Sequence, residues 1–396
     1  MSTPAPLQGE AAALRFDRLP PLSLYVHLPW CVRKCPYCDF NSYEARGALP
    51  DLEYVEALLR DLRSEIELAR GRAIETIYFG GGTPSLFSGD AIARLLAGVR
   101  AEASISADAE ITLEANPGAV DVARFTAFRD AGVNRLSIGI QSFRNEKLHA
   151  LGRVHDAAQA EAAVAAARAA GFANVNLDLM YGLPQDDAAG AAADLERAIA
   201  LEPEHVSWYQ LTLEPNTAFE RRPPPLPDDD LVASIEQQGR ALLAAHGYER
   251  YEISAYAQSG RRSRHNLNYW QFGDYLGIGA GAHGKVTLPE TGEIARRAKT
   301  RNPRTYQLQA GGAGATDEER IAARAQAAIE FLMNALRLLD GALVETFEAR
   351  AGQPAASIGA ARAAAAARGW LSLEPDRLRA TPSGLERLNK VLELFA

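Results

Sequence analysis

The chain reads as an α/β protein: six βα units that match a partial (β/α)6, TIM-like barrel, the pattern alone leaving a full eight-stranded barrel open, followed by a small C-terminal accessory domain of winged-helix-like pattern. Three observations carry that reading. Short β-rich runs alternate with longer helical patterns through the first two thirds of the 396 residues, as parallel strands joined by right-handed helical crossovers do. Glycine stands just past several helical runs (Gly71, Gly132, Gly171 and Gly247), where a left-handed residue closes a helix. Polar, chemistry-bearing residues fall at the carboxyl ends of the β-rich runs, the rim on which a parallel barrel gathers its loops.

Taken in order, the pattern predicts strands at 22–27, 74–79, 110–115, 135–140, 174–180 and 205–211. Helices are expected between them at 51–70, 90–101, 121–131, 157–170 and 188–201, with another at 229–246. The alanine-rich runs at 158–170 and 360–367 read as helix, alanine being the best helix former. A stiff proline-rich stretch, 221–227, punctuates the barrel, and the glycine- and alanine-rich patch at 311–315 marks a boundary. Beyond it a helical pattern covers 317–339, then smaller helices, a strand pair within 371–381 and a terminal helix from Ser383. The expected organisation is an N-terminal extension at 1–21, the barrel at 22–250, a connecting segment at 251–315 and the accessory domain at 316–396.

Composition narrows the function. A net charge of −8 argues against a general nucleic-acid surface. No apolar run is long enough to span a membrane, and residues 1–20 lack the apolar core of a signal peptide, so the expected compartment is the cytoplasm. The three cysteines fit a reducing interior, where disulfides do not persist.

Those cysteines, Cys31, Cys35 and Cys38, follow the first strand in the spacing CxxxCxxC. Three thiolates from one tight loop can hold three irons of a 4Fe-4S cluster and leave the fourth open to a small molecule. A zinc site would need a fourth ligand, for which His27 and Asp39 are the local and awkwardly placed candidates. The spacing resembles that of the radical S-adenosylmethionine (SAM) superfamily. That resemblance implies a 4Fe-4S cluster and SAM as cofactors, SAM chelating the open iron and being cleaved to a 5′-deoxyadenosyl radical.

The remaining strand ends agree with it. Gly80-Gly81-Gly82-Thr83-Pro84 follows the second strand, where glycines allow close backbone approach to a ligand. Glu114 closes the third strand, Gln141 follows the fourth and Asp178 lies toward the end of the fifth. The resemblance carries Gly81, Gly82 and Thr83 over as SAM contacts, Glu114 as the partner of the SAM ammonium, and Gln141 and Asp178 as residues of the SAM pocket. An amide and a carboxylate suit ribose hydroxyls, which both donate and accept. By the same resemblance Arg153 is a carboxylate fork and Tyr25, ahead of the cysteines, a further SAM contact.

The run Tyr25-Val26-His27-Leu28-Pro29-Trp30-Cys31 is similar to that of the oxygen-independent coproporphyrinogen III oxidase family, whose substrate is a propionate-bearing tetrapyrrole. In the oxidase branch a fourth cysteine gives CxxxCxxCxC and the N-terminal extension is longer; here Phe40 stands at that position. The haem chaperone branch is marked by HNxxYW, which this chain carries as His265-Asn266-Leu267-Asn268-Tyr269-Trp270. An imidazole can ligate haem iron, and aromatic rings offer flat surface to a porphyrin. His265, Asn266, Tyr269 and Trp270 are therefore the expected haem residues, with Arg261, Arg262 and Arg264 nearby for propionates. The glycine-rich run Gly277–Gly284 lacks the context of a dinucleotide site and reads as close backbone packing near the pocket. His27, His149, His155, His205 and His246 have no partner pattern and are assigned no chemistry. The expected function is that of a haem chaperone handing haem to apo-haemoproteins. Decarboxylation of coproporphyrinogen III is the alternative, and no catalytic residue is assigned. A homodimer and peripheral membrane contact are the further partner expectations.

Overall fold

Six parallel strands form the centre of the molecule: β1 (Leu22–Leu28), β2 (Ile74–Gly81), β3 (Ile105–Ala115), β4 (Arg135–Gln141), β5 (Val175–Tyr181) and β6 (His205–Gln210). They pair in chain order, each with the next, as a run of right-handed βα units requires. The computed structural model describes residues 14–312 and 314–396, so most of the expected N-terminal extension lies outside the described residues.

Side-chain alternation explains why these runs are strands. Leu24, Val26, Ile77, Phe79, Leu113, Leu136, Ile138, Leu177, Leu179, Val206 and Trp208 are fully buried in the main apolar core. Helices α1 (Asp51–Glu65), α2 (Gly89–Glu102), α3 (Val122–Ala131), α4 (Ala157–Ala169), α5 (Ala188–Ala200) and α6 (Asp229–Ala245) supply the other half of that core. Packing is close: a Cβ on Gly239 of α6 would lie 1.9 Å from the Trp208 ring. The alternate residues of the same strands are polar and face the barrel interior, among them Ser23, Tyr25 and His27 on β1, Tyr78 on β2, Glu114 on β3, Arg135 and Ser137 on β4, Asp178 on β5 and Tyr209 on β6.

The sheet does not stop at the barrel. The segment expected only to connect, 251–315, adds β8 (Ala255–Ala257), β9 (Asp274–Ile278), β10 (His283–Leu288) and β11 (Glu293–Lys299), and β7 (Glu249–Arg250) precedes them. With β12 (Thr316–Ile321) the order becomes β12-β11-β10-β9-β1-β2-β3-β4-β5-β6-β8-β7, an open twelve-stranded sheet. Residues 317–321, expected as the start of a helix, instead form an edge strand against β11. Ile321 meets Ile294, and Arg297–Glu318 and Arg320–Glu293 pair across the strands. Cross-strand charge pairs outweigh the local helical pattern there.

The far end of the barrel is closed by helix α7 (Arg264–Trp270). Glu110 accepts hydrogen bonds from the backbone N–H groups of Arg264 and His265, each at 3.0 Å, so a carboxylate caps the positive end of this helix. Asn268 donates to Ser23 Oγ at 2.8 Å and to the Asp274 carbonyl at 3.0 Å, fixing the helix to β1 and β9. The C-terminal unit contains α8 (Arg324–Ala335), α9 (Val344–Ala351) and α10 (Gly359–Ala367), with small antiparallel pairings at Ala342–Leu343 with Arg377–Leu378 and at Leu371 with Ala380. The strand pair expected within 371–381 is thus reduced to a narrow wing.

Candidate functional site

A cavity of about 540 Å³ opens at the carboxyl ends of the barrel strands and runs down their interior. Cys31, Cys35 and Cys38 stand at its mouth and Asn266 of α7 on its lining at the opposite end. The three thiols are half-buried, and burial raises the Cys31 and Cys38 thiols above their usual range. Cys35 Sγ accepts from Arg153 Nη1 at 3.7 Å, so a guanidinium charge lies beside one thiol; its Nη2 donates to the Gly139 carbonyl at 2.7 Å. Among the described residues no three ligating side chains converge on a single ion. Three thiols from one loop lining one mouth suit a cluster, each thiol on its own iron. The zinc alternative loses His27, whose ring is taken up elsewhere.

His27 was assigned no chemistry from sequence, yet it supports the cysteine loop. Its Nε2–H donates to the Asn41 carbonyl at 2.9 Å and its Nδ1 accepts from the Tyr25 hydroxyl at 3.0 Å. Asn41 in turn donates to the carbonyls of Ala280 and Arg301 at 2.9 and 2.8 Å. The glycine-rich run Gly277–Gly284 therefore serves the site from beneath: a Cβ on Gly279 would lie 2.3 Å from the His27 carbonyl oxygen. That run is held by the buried Tyr54 and Tyr306 hydroxyls, which accept from Ala280 N and Gly279 N at 2.7 and 2.9 Å. Tyr306 donates to Asp61, itself bonded to Lys299 at 2.7 Å.

The Gly81 and Gly82 positions are explained first by the protein itself. A Cβ on Gly81 would meet the His27 ring at 2.6 Å, and one on Gly82 the Trp30 carbonyl oxygen at 2.5 Å. Gly82 N donates to Leu28 O and Thr83 N to Trp30 O, locking the turn against the cysteine loop. Glu114 lies under it, accepting from the Tyr78 hydroxyl at 2.8 Å and Gly81 N at 3.3 Å. Burial, with the nearby Asp178 adding to it, pushes the Glu114 carboxyl up to about 7.

Gln141 ends β4 with φ +70°, a left-handed conformation rare for a side-chain-bearing residue, at a register shift between Gly139 and Gln141. Its Oε1 accepts from the Tyr209 hydroxyl at 2.9 Å. Asp178 is deeper, accepting from Asn176 at 2.8 Å and Ser137 at 3.0 Å, and burial raises its carboxyl too. The cavity thus brings together Gly81, Gly82, Thr83, Glu114, Gln141, Arg153 and Asp178 with the cysteines. Tyr25 sits behind that wall, its ring against Gly80 and its hydroxyl on His27. Tyr78, Arg135 and Tyr209 share the cavity and were not singled out from sequence; as residues of apolar-looking strands they give no local signal.

The HNxxYW residues lie at the other end of the barrel. His265 stacks on Tyr78 with ring centroids 4.9 Å apart, and its Nδ1–H donates to Thr76 Oγ1 at 2.8 Å. Burial, with Arg135 nearby, pulls its pKa down to about 3, so the imidazole is neutral. Asn266 lines the cavity, whereas Tyr269 is 40% exposed and packs on Trp270 and Tyr275 on the outer side. Arg337 of the C-terminal unit covers the Trp270 ring at 4.5 Å. Of the arginines ahead of the motif, Arg262 pairs with Asp340 and Arg264 with Asp108. At the cysteine mouth, Phe40 is 56% exposed.

Comparison with known proteins bears on the family and the fold. Residues 25–195 match the radical SAM superfamily and residues 323–386 the HemN C-terminal domain. The haem chaperone HemW of Escherichia coli is 50% identical over 378 residues, covering 96% of this chain and 99% of that protein. HemW of Haemophilus influenzae is 46% identical, covering 96% and 98%. A mouse protein, radical S-adenosyl methionine domain-containing protein 1, mitochondrial, is 42% identical over 70% of this chain and 63% of its own length. Among solved structures, the radical SAM enzyme coproporphyrinogen III oxidase (HemN) of E. coli superimposes with a TM-score of 0.79 at 25% identity, covering 95% of this chain and 90% of that one.

Proposed function

The chain belongs to the haem chaperone HemW family of radical SAM proteins, and on that premise we propose that it binds haem and delivers it to apo-haemoproteins. The observation that carries the reading is likeness along the whole chain, 50% identity over 99% of a relative named for that activity. Phe40 at the mouth supports it, since no thiol stands where the oxidase branch has one.

Membership of the radical SAM superfamily implies a 4Fe-4S cluster and SAM. The residues fit both. Cys31, Cys35 and Cys38 are the proposed cluster ligands, each thiol facing the same mouth. Glu114 is the proposed acceptor for the SAM amino group, Arg153 the partner of its carboxylate, and Gln141 and Asp178 the ribose contacts. Gly81, Gly82 and Thr83 supply backbone and hydroxyl groups beside them, and Tyr25 acts through His27. When bound, the pair supplies one-electron chemistry; the protein's part is to hold SAM in the barrel cavity beside the cysteines.

For haem we propose His265 as ligand, with Tyr269 and Trp270 as the flat contact surface. Three features support His265: the ring is neutral, Nδ1–H is held by Thr76, and Nε2 is left as the ligating nitrogen. Because Tyr78 covers the ring face, α7 must shift outward for iron to reach it. Asn266, facing the barrel interior, is better placed for the cavity than for haem. The cytoplasm, a homodimer and peripheral contact with a membrane remain proposals; among the described residues no helix is long and apolar enough to cross a membrane.

The test is haem titration of the reconstituted protein followed by transfer to an apo-haemoprotein. Stoichiometric binding and transfer are expected, and His265→Ala is expected to weaken haem binding at least tenfold while keeping the cluster's absorbance. Unchanged haem affinity in that variant removes His265 as the ligand. The oxidase alternative is favoured by the full-length superposition on HemN. Anaerobic incubation with coproporphyrinogen III, SAM and reductant decides it: protoporphyrinogen formation would overturn the chaperone reading.

A further inference from the structure

The lower part of the barrel cavity holds a charged group with no partner. Arg135, on β4, is 2% exposed, yet it makes no ion pair among the described residues, and its Nε is buried without a hydrogen-bond partner. Its guanidinium borders the cavity. Asp178 lies near enough to feel its charge, but none of the nearby acids forms a direct ion pair with it among the described residues. Asp178 accepts from the neutral donors Asn176 and Ser137, and Glu110 from the backbone of Arg264 and His265. Thr112, the register partner of Arg135 on β3, also leaves its buried hydroxyl oxygen unpaired. A buried guanidinium with no directly hydrogen-bonded counter-charge is costly, and a ligand that supplies one would complete it.

We propose that this region of the barrel is a binding site for a small organic carboxylate, received by Arg135 with Asn266 beside it. The fork of a guanidinium matches a carboxylate with two parallel hydrogen bonds. A single cation close to Asp178 suits one negative charge and disfavours a phosphate dianion. Ser137, Asn176 and Ser207 line the same stretch and offer neutral donors and acceptors to the rest of the molecule. The bound molecule then lies below Glu114 and Gln141, so its upper end faces the proposed SAM contacts. Asn266 belongs to α7, the helix that carries His265, so the site is tested in the haem-free protein.

The experiment uses the full-length, cluster-reconstituted protein with SAM present, scored by thermal shift and ligand-detected NMR. The probes are acetate, propionate and succinate, with phosphate as a comparison and chloride as the ionic-strength control. A saturable rise in Tm is expected with at least one carboxylate and absent with chloride. In Arg135→Gln that rise disappears, SAM affinity stays within twofold of wild type, and Tm without carboxylate is equal or higher, because an unpaired buried charge has gone. Asn266→Ala, which leaves the guanidinium in place, is expected to weaken the carboxylate about tenfold. Any of four results overturns the proposal: no Arg135-dependent response to any carboxylate, a response to phosphate alone, loss of SAM binding in Arg135→Gln, or failure of that variant to fold. The last two would make Arg135 part of the SAM site or of the framework.

Discussion

At the scale of single residues, Glu114 has the most readily tested behaviour. Its carboxyl is raised to about 7 because burial removes water from the charged form, although Tyr78 and Gly81 N donate to it. The ionised form is the one that accepts from an amino group. Between pH 8 and pH 6 its ionised fraction falls from roughly nine tenths to one tenth, so SAM is expected to bind about tenfold more weakly at pH 6. Glu114→Gln is expected to bind weakly with a flat profile, read by equilibrium binding across that range. Folding stability responds in the opposite sense: the folded state retains a proton that the unfolded chain releases above about 4.5, so this contribution is complete at low pH and lost as pH rises through 7. The glutamate was legible in the sequence because it closes the third strand and resembles the family's acidic contact there. Arg135 was not, because in Arg135-Leu136-Ser137-Ile138 a charged inward residue alternates with apolar outward ones as any surface strand does. Only closure of the barrel puts that polar face inside. The same holds for His27, whose partner Asn41 reaches it only when the cysteine loop folds back.

At the scale of elements, the sequence specifies what local pairing rewards and misses what distant pairing imposes. The six core strands were readable because each alternates between the helix-facing core and the interior. The strand at Thr316–Ile321 was not, since Thr-Asp-Glu-Glu-Arg carries no apolar alternation and becomes a strand only by pairing with β11. The glycine-rich run at 277–284 was read as close packing, and its contacts sharpen that into a brace for the cysteine loop. Gly279, at φ +106° and against the His27 carbonyl, is expected to lose about 1–3 kcal/mol of stability as Gly279→Ala, by combined backbone strain and overlap. Because His27 and Asn41 carry the loop, iron content after reconstitution should fall as well. Gly260 is the control: its φ is +73° but nothing lies within 4 Å of an added Cβ. Equal iron loading in Gly279→Ala and Gly260→Ala would show that the run does not brace the cysteines.

At the scale of the whole molecule, the C-terminal unit shares an apolar cluster with the extension of the sheet, beside the separate core of the barrel. Phe331, Leu332 and Phe347 of α8 and α9 pack in one cluster with Ile294 and Ile321 from the sheet, Phe272 from the turn after α7 and Leu14 from ahead of β1. The same unit holds the helix that closes the barrel. Arg337 covers Trp270, Leu339 N donates to the Tyr251 carbonyl at 3.0 Å, and Arg350 donates to the Gln271 carbonyl at 2.7 Å. A boundary at residue 316, as composition suggests, therefore cuts through a sheet and its apolar cover. Removal of 322–396 uncovers Phe272, Ile294 and Ile321, each at most 2% exposed, and the truncated chain is expected to aggregate. The intact protein should melt in a single calorimetric transition with agreeing calorimetric and van't Hoff enthalpies. Phe331→Ala, costing about 3–5 kcal/mol by the cavity it leaves, should move that whole transition. It should also quicken hydrogen exchange at α7, because the floor of the barrel rests on the cluster that Phe331 fills. Two separable transitions, with α7 unaffected by the substitution, would instead establish the C-terminal unit as an independent domain and leave α7 to be held by Glu110, Ser23 and Asp274 alone.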